Sequence, residues 1–244
     1  MKITFLGTAS NGGIPQIGCN CKNCNKSTQT RLRSSVLIRT GRKLFIIDCT
    51  PDFRQQILEA NISLKDIEGI ILTHLHFDHI GGLPELTVGK PLNIPIICHH
   101  SLKKSLKENS YFSYIFKNKY AYFTKIIDNN IKLVEVKHSS NFNTFGVIIS
   151  EKKKSIGYFP DIATVNNRLL KIIKNLSILI WDGTFISKSK FGHLSVNKFL
   201  KINKYNERLI LTHINHSEST LLYKRLSKKF GFKLAKESCT IILN

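Results

Sequence analysis

The sequence is poor in acidic residues and has no long apolar run. Its 244 residues include 16 Asp and Glu against 37 Lys and Arg, which gives a formal net charge of +21. A bilayer-spanning helix needs about 18 or more consecutive apolar residues, and no stretch approaches that length. The N-terminus has no extended apolar core before Gly7, so a secretory signal is not predicted. We therefore expect a cytoplasmic protein that does not bind membranes.

Cysteine is also scarce, and its six copies are not spaced like a disulfide framework. Three of them are crowded into one C-x-C-x-x-C segment, at Cys19, Cys21 and Cys24. A reducing cytoplasm would keep these thiols free to bind metal. Buried cysteine usually behaves as a small hydrophobic side chain. We therefore expect the isolated cysteines, each beside an apolar run, to lie in the core: Cys49, Cys98 and Cys239.

The excess of positive charge predicts attraction to anions, but the lysines are scattered along the chain. The densest runs are short, at Lys103-Lys104, Lys152-Lys153-Lys154 and Lys228-Lys229. Charge of this kind affects association and not fold or chemistry, and compositional drift explains scattered lysine equally well. We expect a small anionic substrate and keep nucleic acid as an alternative partner.

Short apolar runs between polar loops predict about a dozen strands. These are Ile3–Leu6, Ser35–Ile38, Leu44–Ile47, Ile67–Leu72, Ile94–Cys98, Tyr122–Ile127, Ile131–Val136, Phe145–Ile149, Ser155–Phe159, Leu176–Ile180, Arg208–Leu211 and Cys239–Leu243. Thr50 followed by Pro51 predicts the N-cap and first position of a helix. Further helical patterns cover Gly82–Val88, His100–Lys107, Val165–Lys174, Val196–Lys201 and Ser219–Lys228. This pattern favours an α/β fold of two packed sheets flanked by helices, in a single domain over residues 1–244.

The most informative segment is Thr73–Gly82, which follows a predicted strand and reads Thr-His-Leu-His-Phe-Asp-His-Ile-Gly-Gly. His74 and His76 alternate by two, which places both on one side of a chain leaving a strand. Asp78 and His79 follow in the same tight loop. Imidazole and carboxylate ligands suit zinc, manganese or iron. Four such residues within six positions have no good structural explanation, so we predict a metal-binding loop.

Three further ligand-type residues each follow a predicted strand: His138, Asp161 and His213. Ligands at the ends of separate strands fit a site built on the edge of a rigid scaffold. Taken singly, His138 or Asp161 is equally well explained as a loop residue with satisfied hydrogen bonds. As a set with the central loop, they predict one metal centre.

In their order along the chain, these residues resemble the metal ligands of the metallo-β-lactamase superfamily. The resemblance implies an αββα sandwich of two mixed sheets, with two catalytic divalent metals at one edge. These would be zinc or manganese, with iron as a third option. The implied ligands of the first metal are His74, His76 and His138. Those of the second are Asp78, His79 and His213. Asp161 would bridge the two metals, and the resemblance assigns catalytic roles to Asp78 and Asp161.

The cysteine-rich segment predicts a second kind of metal site. Three thiolates within six residues need one more ligand to form a closed tetrahedral zinc site. His216, three residues after His213, is the candidate. We therefore expect a structural zinc bound by Cys19, Cys21, Cys24 and His216. A thiol pair or free cysteines remain the alternative interpretation.

Two branches of the superfamily share features with this chain. The likeness to PhnP phosphodiesterases of phosphonate breakdown runs along nearly the whole chain and includes the cysteine trio, Thr144-Phe145-Gly146 and Gly192-His193. The likeness to PqqB proteins of pyrroloquinoline quinone biosynthesis lies in Gly12–Gln16, Pro51–Gln56 and Gly192–Ser195. PqqB proteins tend to have a degraded central loop, whereas this chain keeps all four ligand residues of that loop. A homodimer is the family expectation.

The resulting functional prediction is a hydrolase that attacks a small cyclic or ribose-type phosphodiester with a hydroxide bridging two metals. By resemblance, His193 would bind the phosphate or protonate the leaving alkoxide, although it could equally be a residue at a helix start capped by Ser195. Asp48 and Asp182 each follow an apolar strand and could orient ligand imidazoles. The alternatives are a PqqB-like biosynthetic protein and a tRNase Z-like nuclease. Enzymes of the latter kind lack the cysteine cluster and usually carry an RNA-gripping arm.

Overall fold

Two β-sheets stack face to face in a computed structural model that describes residues 1–25, 30–124, 130–138, 140–203 and 206–243. The first sheet has seven strands and the second has six. The strands are β1 Lys2–Gly7, β2 Ser35–Thr40, β3 Lys43–Ile47, β4 Ile67–Ile71, β5 Ile94–Ile97, β6 Ala121–Thr124, β7 Ile131–Val136, β8 Thr144–Glu151, β9 Lys154–Phe159, β10 Ile178–Asp182, β11 Leu209–Thr212, β12 Lys233–Leu234 and β13 Thr240–Ile242.

Eight α-helices are present in the described ranges. They are α1 Lys22–Asn25, α2 Phe53–Glu59, α3 Phe77–Ile80, α4 His100–Glu108, α5 Ser110–Lys117, α6 Asn167–Lys174, α7 Val196–Ile202 and α8 Thr220–Phe230. Short 3-10 helices cover Leu64–Asp66, Leu83–Thr87 and Asn206–Arg208. Both sheets are mixed and helices flank them, which confirms the α/β sandwich expected from the sequence.

Three apolar layers hold the sandwich together. The middle layer lies between the sheets and contains only strand residues and neighbouring loops, such as Phe45 and Tyr158. The outer layer on the first sheet adds Phe53 of α2 and Ile115 of α5. The outer layer on the second sheet is formed with α6, α7 and α8. Each sheet therefore buries both of its faces, which explains why most strands read as continuous apolar runs.

The strand order directs many chain exits to one edge of the sandwich. The first sheet runs β13-β1-β2-β3-β4-β5-β6 and the second runs β12-β11-β10-β9-β8-β7. Strands β9, β10 and β11 are mutually parallel, and β7 points the same way because two antiparallel pairings separate it from β9. In the first sheet, β3 and β4 are also parallel. Residues that follow these strands can therefore converge.

Several boundaries differ from the sequence predictions. The predicted start of α2 at Thr50-Pro51 is wrong, because the helix begins at Phe53. The Thr50 hydroxyl instead accepts a hydrogen bond from the backbone of Asp52, and its carbonyl accepts one from Phe53, which closes a turn before the helix. The predicted helix over Gly82–Val88 is a shorter 3-10 helix.

Helix α5 was not predicted from the sequence. Asn109 ends α4, and the Asn109 side chain accepts hydrogen bonds from the backbone of Tyr111 and Phe112 at the start of α5. Cys239 is exposed and Cys98 is only half-buried, so the expectation of a core position holds for Cys49 alone. Of the strand expected over Tyr122–Ile127, residues 125–127 lie outside the described ranges.

Trp181 provides a test of the second outer layer. Its ring is fully buried, with its centroid 4.0 Å from that of Phe199, and its indole nitrogen has no hydrogen-bond partner. Trp181→Phe therefore loses no hydrogen bond, leaves a smaller cavity than alanine would, and should cost less unfolding free energy than Trp181→Ala. Trp181→Ala leaves a large cavity and should cost about 3–5 kcal/mol of unfolding free energy in urea titrations. Equal costs for the two variants would contradict this packing.

Candidate metal centre

The residues that follow β4, β7, β9, β10 and β11 meet at one edge of the sandwich. They line a cleft of about 720 Å³ whose walls include His76, Asp78, His138, Asp161 and His213. The segment from His74 to His79 leaves β4 and turns into α3, so the metal-binding motif contains its own short helix. The structure thus brings the sequence-predicted site residues from separate strands into one cleft.

Three imidazoles of this cleft form the first group of ligand-type atoms. Nε2 of His74 lies 2.9 Å from Nδ1 of His76. Nε2 of His138 lies 3.2 Å from the same His76 nitrogen. His74 and His138 therefore face the group with Nε2, whereas His76 faces it with Nδ1.

A carboxylate and two imidazoles form the second group. Oδ2 of Asp78 lies 3.2 Å from Nε2 of His213 and 3.3 Å from Nε2 of His79. The atoms of each group lie within 4.8 Å of one another, as a shared cation requires. His79 and His213 are almost fully buried, and their ring centroids are 5.4 Å apart in a stacked arrangement.

Asp161 lies between the two groups. Its Oδ2 is 3.0 Å from Nε2 of His79, and its Oδ1 is 3.6 Å from Nε2 of His138 and 3.7 Å from that of His213. Despite the short distance, neither Oδ2 of Asp161 nor Nε2 of His79 has a hydrogen-bond partner with acceptable geometry. Buried polar atoms are rarely left unpaired, and cations shared by these atoms would satisfy them. The donor set therefore fits two divalent metals, and Asp161 lies within reach of both groups.

His74 and His79 follow strand β4 of the first sheet, and in each ring the nitrogen that points away from the cleft has a hydrogen-bond partner. The hydroxyl of Thr73 donates its single proton to Asp48, at 2.9 Å, so it can only accept from Nδ1 of His74, 3.0 Å away. Nδ1 of His79 donates to the Asp48 carboxylate at 2.7 Å. In both rings Nδ1 is held by these partners, and Nε2 faces the cleft, where it could bind a metal in place of a proton.

The histidines of the second sheet are held in the same way. Nδ1 of His138 donates to the carbonyl of Gly192 at 2.8 Å. Nδ1 of His213 donates to the Thr184 hydroxyl at 2.8 Å, because that hydroxyl gives its own proton to Asp182 at 2.6 Å. Hydrogen bonds of this kind orient metal-binding imidazoles and raise their basicity.

The electrostatics of the cluster favour added positive charge. Burial lowers the pKa of His79, but the carboxylates of Asp78, Asp161 and Asp48 raise it well above its ordinary value. Burial raises the pKa of Asp161, but His213, His79 and His74 hold it well below its usual range. Carboxylates held ionised in a buried cluster attract cations strongly. A divalent metal would compete with protons here.

His193 lies beside the cluster rather than in either ligand group. Nδ1 of His193 is 2.8 Å from Oδ2 of Asp182, and its Nε2 is 3.7 Å from Oδ1 of Asp161. Burial lowers the pKa of His193, but the Asp182 carboxylate raises it to about 9. Ser195 occupies the N-cap of α7 without a side-chain capping bond. Nε2 of His193 therefore faces the cleft, on the side of Asp161, while Asp182 holds Nδ1.

The cysteine segment forms a separate cluster with His216. Nδ1 of His216 lies 3.4 Å from Sγ of Cys19 and 3.5 Å from Sγ of both Cys21 and Cys24. A tetrahedral zinc with ordinary bond lengths separates sulfur and nitrogen ligands by about 3.6 Å. The hydrogen bond from His216 is the main cause that lowers the pKa of Cys21 to about 6. Four ligand atoms at these distances fit a closed structural zinc site.

This cluster joins the N-terminal segment to the loop that carries His213. The Asn23 amide donates to the carbonyls of His216 and Glu218, at 2.7 and 2.8 Å. The backbones of Ser10 and Ile214 are also hydrogen-bonded, at 3.0 Å. His216 itself lines the cleft. The cysteine cluster therefore supports one wall of the metal centre.

The residues predicted from the sequence lie together in the two clusters, but the residues that support them were not predicted. Thr73, Thr184 and the Gly192 carbonyl were not predicted, although a hydroxyl residue stands next to His74 and two after Asp182. Asp48 bonds to the imidazole of His79, one of the candidate ligands. Asp182 reaches His213 only through Thr184 and contacts His193 directly.

Among the described residues, no helix is both long and apolar enough to cross a bilayer.

Comparison with known proteins identifies the family of the chain. A family model described as a beta-lactamase superfamily domain matches residues 43–214. An octanoyltransferase of Porphyromonas gingivalis is 27% identical over 235 residues, which cover 88% of this chain but only 46% of that protein. The chain thus spans less than half the length of that relative.

Two solved structures cover nearly the whole chain. Zinc-bound PqqB from Methylobacterium extorquens superposes with a TM-score of 0.86 at 22% identity, over 100% of both chains. A diphosphatase from the PhnP family superposes with a TM-score of 0.81 at 27% identity, over 98% of this chain and 96% of the other.

The role of Asp48 can be tested through metal affinity. Asp48→Asn removes the charge behind His79 and weakens the relay through Thr73 to His74. Losses of this kind typically reduce metal affinity about 10–100-fold. Competition with a chelator of known affinity should show this loss, while Asp66→Asn, at an exposed position, leaves the affinity unchanged. Equal affinities for all three proteins would contradict the proposed support.

The cysteine cluster can be tested by metal stoichiometry. Cys21→Ser removes one of its four ligands, so the purified protein should lose one metal per chain, while the metals of the histidine cluster stay bound. Inductively coupled plasma mass spectrometry measures the change. Cys239→Ser is the matched control, because Cys239 is exposed and distant in sequence from the segment. An unchanged zinc content in Cys21→Ser would rule out this site.

Proposed function

The chain belongs to the metallo-β-lactamase superfamily, in the branch related to PqqB and PhnP, and on this basis we propose that it is a metal-dependent phosphodiesterase. The observation that carries the proposal is Asp161, whose carboxylate contacts both groups of ligand-type residues. A carboxylate shared by two such groups is the arrangement that two-metal hydrolases use to cleave phosphate esters. The proposed substrate is a small cyclic or ribose-type phosphodiester.

The histidine cluster would hold two divalent cations, with zinc or manganese preferred and iron as a third option. When bound, these cations stabilise negative charge on phosphoryl oxygens and make water acidic enough to supply hydroxide near neutral pH. The first would be held by His74, His76 and His138, and the second by Asp78, His79 and His213. The cysteine cluster would hold a structural zinc.

The chain's own residues would complete the reaction. Asp161 would orient the attacking hydroxide, which is formed when a water releases its proton to solvent. The hydroxide oxygen forms a bond to phosphorus as the bond to the leaving oxygen breaks. The leaving oxygen takes the proton from Nε2 of His193, and His193 regains a proton from solvent. Asp182 keeps the ring in this orientation through its bond to Nδ1.

The rest of the cleft suits an anionic substrate of modest size. Lys190 lines it, as do the polar side chains of Asn11, Asn215 and Ser217. The net charge of +21 adds a long-range attraction for anions. A volume of about 720 Å³ is in the range of small-molecule sites.

Two features favour hydrolysis over the alternative functions. All four ligand-type residues of the central loop face the cluster: His74, Asp78 and His79 are buried, and His76 is half-buried. This supports a working centre rather than a PqqB-like biosynthetic role. The cluster of Cys19, Cys21, Cys24 and His216 distinguishes the chain from tRNase Z-like nucleases, because enzymes of that kind lack the cysteine cluster. The relative described as a diphosphatase extends the candidate substrates to esters of diphosphate.

The proposal predicts metal-dependent cleavage of bis(p-nitrophenyl) phosphate. His76→Ala removes a ligand atom and should lower kcat/KM by about 100-fold or more. His193→Gln, which leaves the ligand groups intact, should lower kcat by about 10²–10⁴-fold. His100→Ala, at an exposed histidine outside the cleft, is the matched control and should retain activity.

The measurement is p-nitrophenolate release by protein fully loaded with zinc or manganese. No turnover with either metal would contradict the proposal. Activity that survives His76→Ala would show that another site, or a contaminant, performs the cleavage.

A further inference from the structure

Two phenylalanine rings stand exposed at the metal centre. Phe77 is 67% exposed and Phe191 is 86% exposed, yet both line the cleft that contains the ligand-type residues. Large apolar side chains left in solvent lose the stabilisation that burial would bring. Both rings are next to proposed functional residues, since Phe77 lies between His76 and Asp78 and Phe191 lies two residues before His193.

The backbone at Phe191 is unfavourable for a bulky residue. Lys190 and His193 exchange two backbone hydrogen bonds, of 3.2 and 2.8 Å, which close a four-residue turn. The two central residues, Phe191 and Gly192, both have positive φ angles, of 48° and 80°. A turn of this type strongly prefers Asn followed by Gly, because β-carbons are strained there. Phe191 is therefore held at a costly conformation without any burial to offset it.

The ring of Phe77 is positioned by a neighbouring glycine. A β-carbon at Gly81 would lie 2.7 Å from Cε2 of Phe77, so the absence of a side chain at Gly81 leaves room for the ring. Phe77 is also the first residue of α3, directly after the His76 N-cap. The ring is thus tied to the same short helix as the metal-binding motif.

We propose that Phe77 and Phe191 bind a planar aromatic ring of the substrate while its phosphoryl group lies between the two ligand groups. This inference rests on the proposed phosphodiesterase function and narrows its substrate class to phosphoesters that carry a ring, such as nucleotides. Stacking on aromatic side chains binds flat rings with little dependence on their identity. Phe185 extends the apolar surface, because its ring centroid is 6.2 Å from that of Phe191. Nζ of Lys190 lies 5.8 Å from the ring centroid of Phe185.

The test compares two substrates with the same leaving group, thymidine 5′-(p-nitrophenyl phosphate) and methyl p-nitrophenyl phosphate. Phe191→Asn is the informative variant, because Asn suits the turn and removes the ring. It should lower kcat/KM about tenfold for the thymidine ester, equivalent to about 1.4 kcal/mol, and less than about twofold for the methyl ester. Phe191→Trp should restore the preference for the thymidine ester.

Tyr111→Ala is the matched control, since Tyr111 is also 67% exposed but does not line the cleft. It should leave both rates unchanged. An equal loss on both esters in Phe191→Asn would overturn the inference, because the ring would then serve the centre itself. No change on either ester, together with a shift in oligomeric state by sedimentation, would overturn it in favour of a contact between copies of the chain.

A binding measurement separates this inference from the proposed function. Calorimetry with the metal-loaded protein should show AMP binding about tenfold more tightly than ribose 5-phosphate, which has the same phosphate but no base. The difference should vanish in Phe191→Asn. If that pattern holds while neither ester is cleaved, the ring site stands and the phosphodiesterase proposal fails. Equal affinities for AMP and ribose 5-phosphate would overturn the ring site even in an active enzyme.

Discussion

Two buried carboxylates, one at the end of a strand in each sheet, organise the candidate metal centre. Asp48 follows β3, bonds directly to His79 and reaches His74 through the Thr73 hydroxyl. Asp182 ends β10, bonds directly to His193 and reaches His213 through Thr184. Each carboxylate is fully buried and accepts backbone hydrogen bonds as well. A buried charge is tolerated only with such partners, so the requirement to satisfy the carboxylates also fixes the imidazoles.

This arrangement makes the centre depend on the stacking of the two sheets. His74, His76, Asp78 and His79 are carried by the first sheet, whereas His138, Asp161 and His213 are carried by the second. Contacts across the sandwich keep the two sets in register. The Ser34 hydroxyl, for example, donates to the backbone of Ala9 and accepts from that of His213. The cysteine cluster adds a link between the N-terminal segment and the His213 loop.

Much of the site could be predicted because its ligand-type residues lie close together in the sequence or directly after predicted strands. The central motif places four ligand-type residues within six positions, and a strand end precedes each remaining ligand. The supports could not be predicted in the same way, because the partner of Thr184 depends on how β10 and β11 pair. Similarly, the sequence predicts that Asp182 orients a metal ligand, whereas in the folded chain its direct contact is with His193.

The fold could also be predicted from local features of the sequence, although not every helix could. Buried strands with both faces covered give apolar runs that are easy to recognise, so the α/β sandwich followed from them and from the family resemblance. Helix α5 escaped prediction because Tyr111, Phe112 and Tyr114 favour strands as much as helices, and the capping bonds of Asn109 decide the outcome. Phe191 shows the opposite case, in which an unfavourable local conformation marks a surface with a proposed function.

Nitrogen-15 NMR of the zinc-loaded protein tests the orientation of the candidate ligand imidazoles. Long-range proton–nitrogen correlations of the histidine rings report which nitrogen carries the proton and which is bound to metal. We expect a protonated Nδ1 and a metal-bound Nε2 in His74, His79, His138 and His213, with the opposite pattern in His76. A protonated Nε2 in any of those four rings would contradict it, because the hydrogen bonds to Thr73, Asp48, Gly192 and Thr184 could not then be formed.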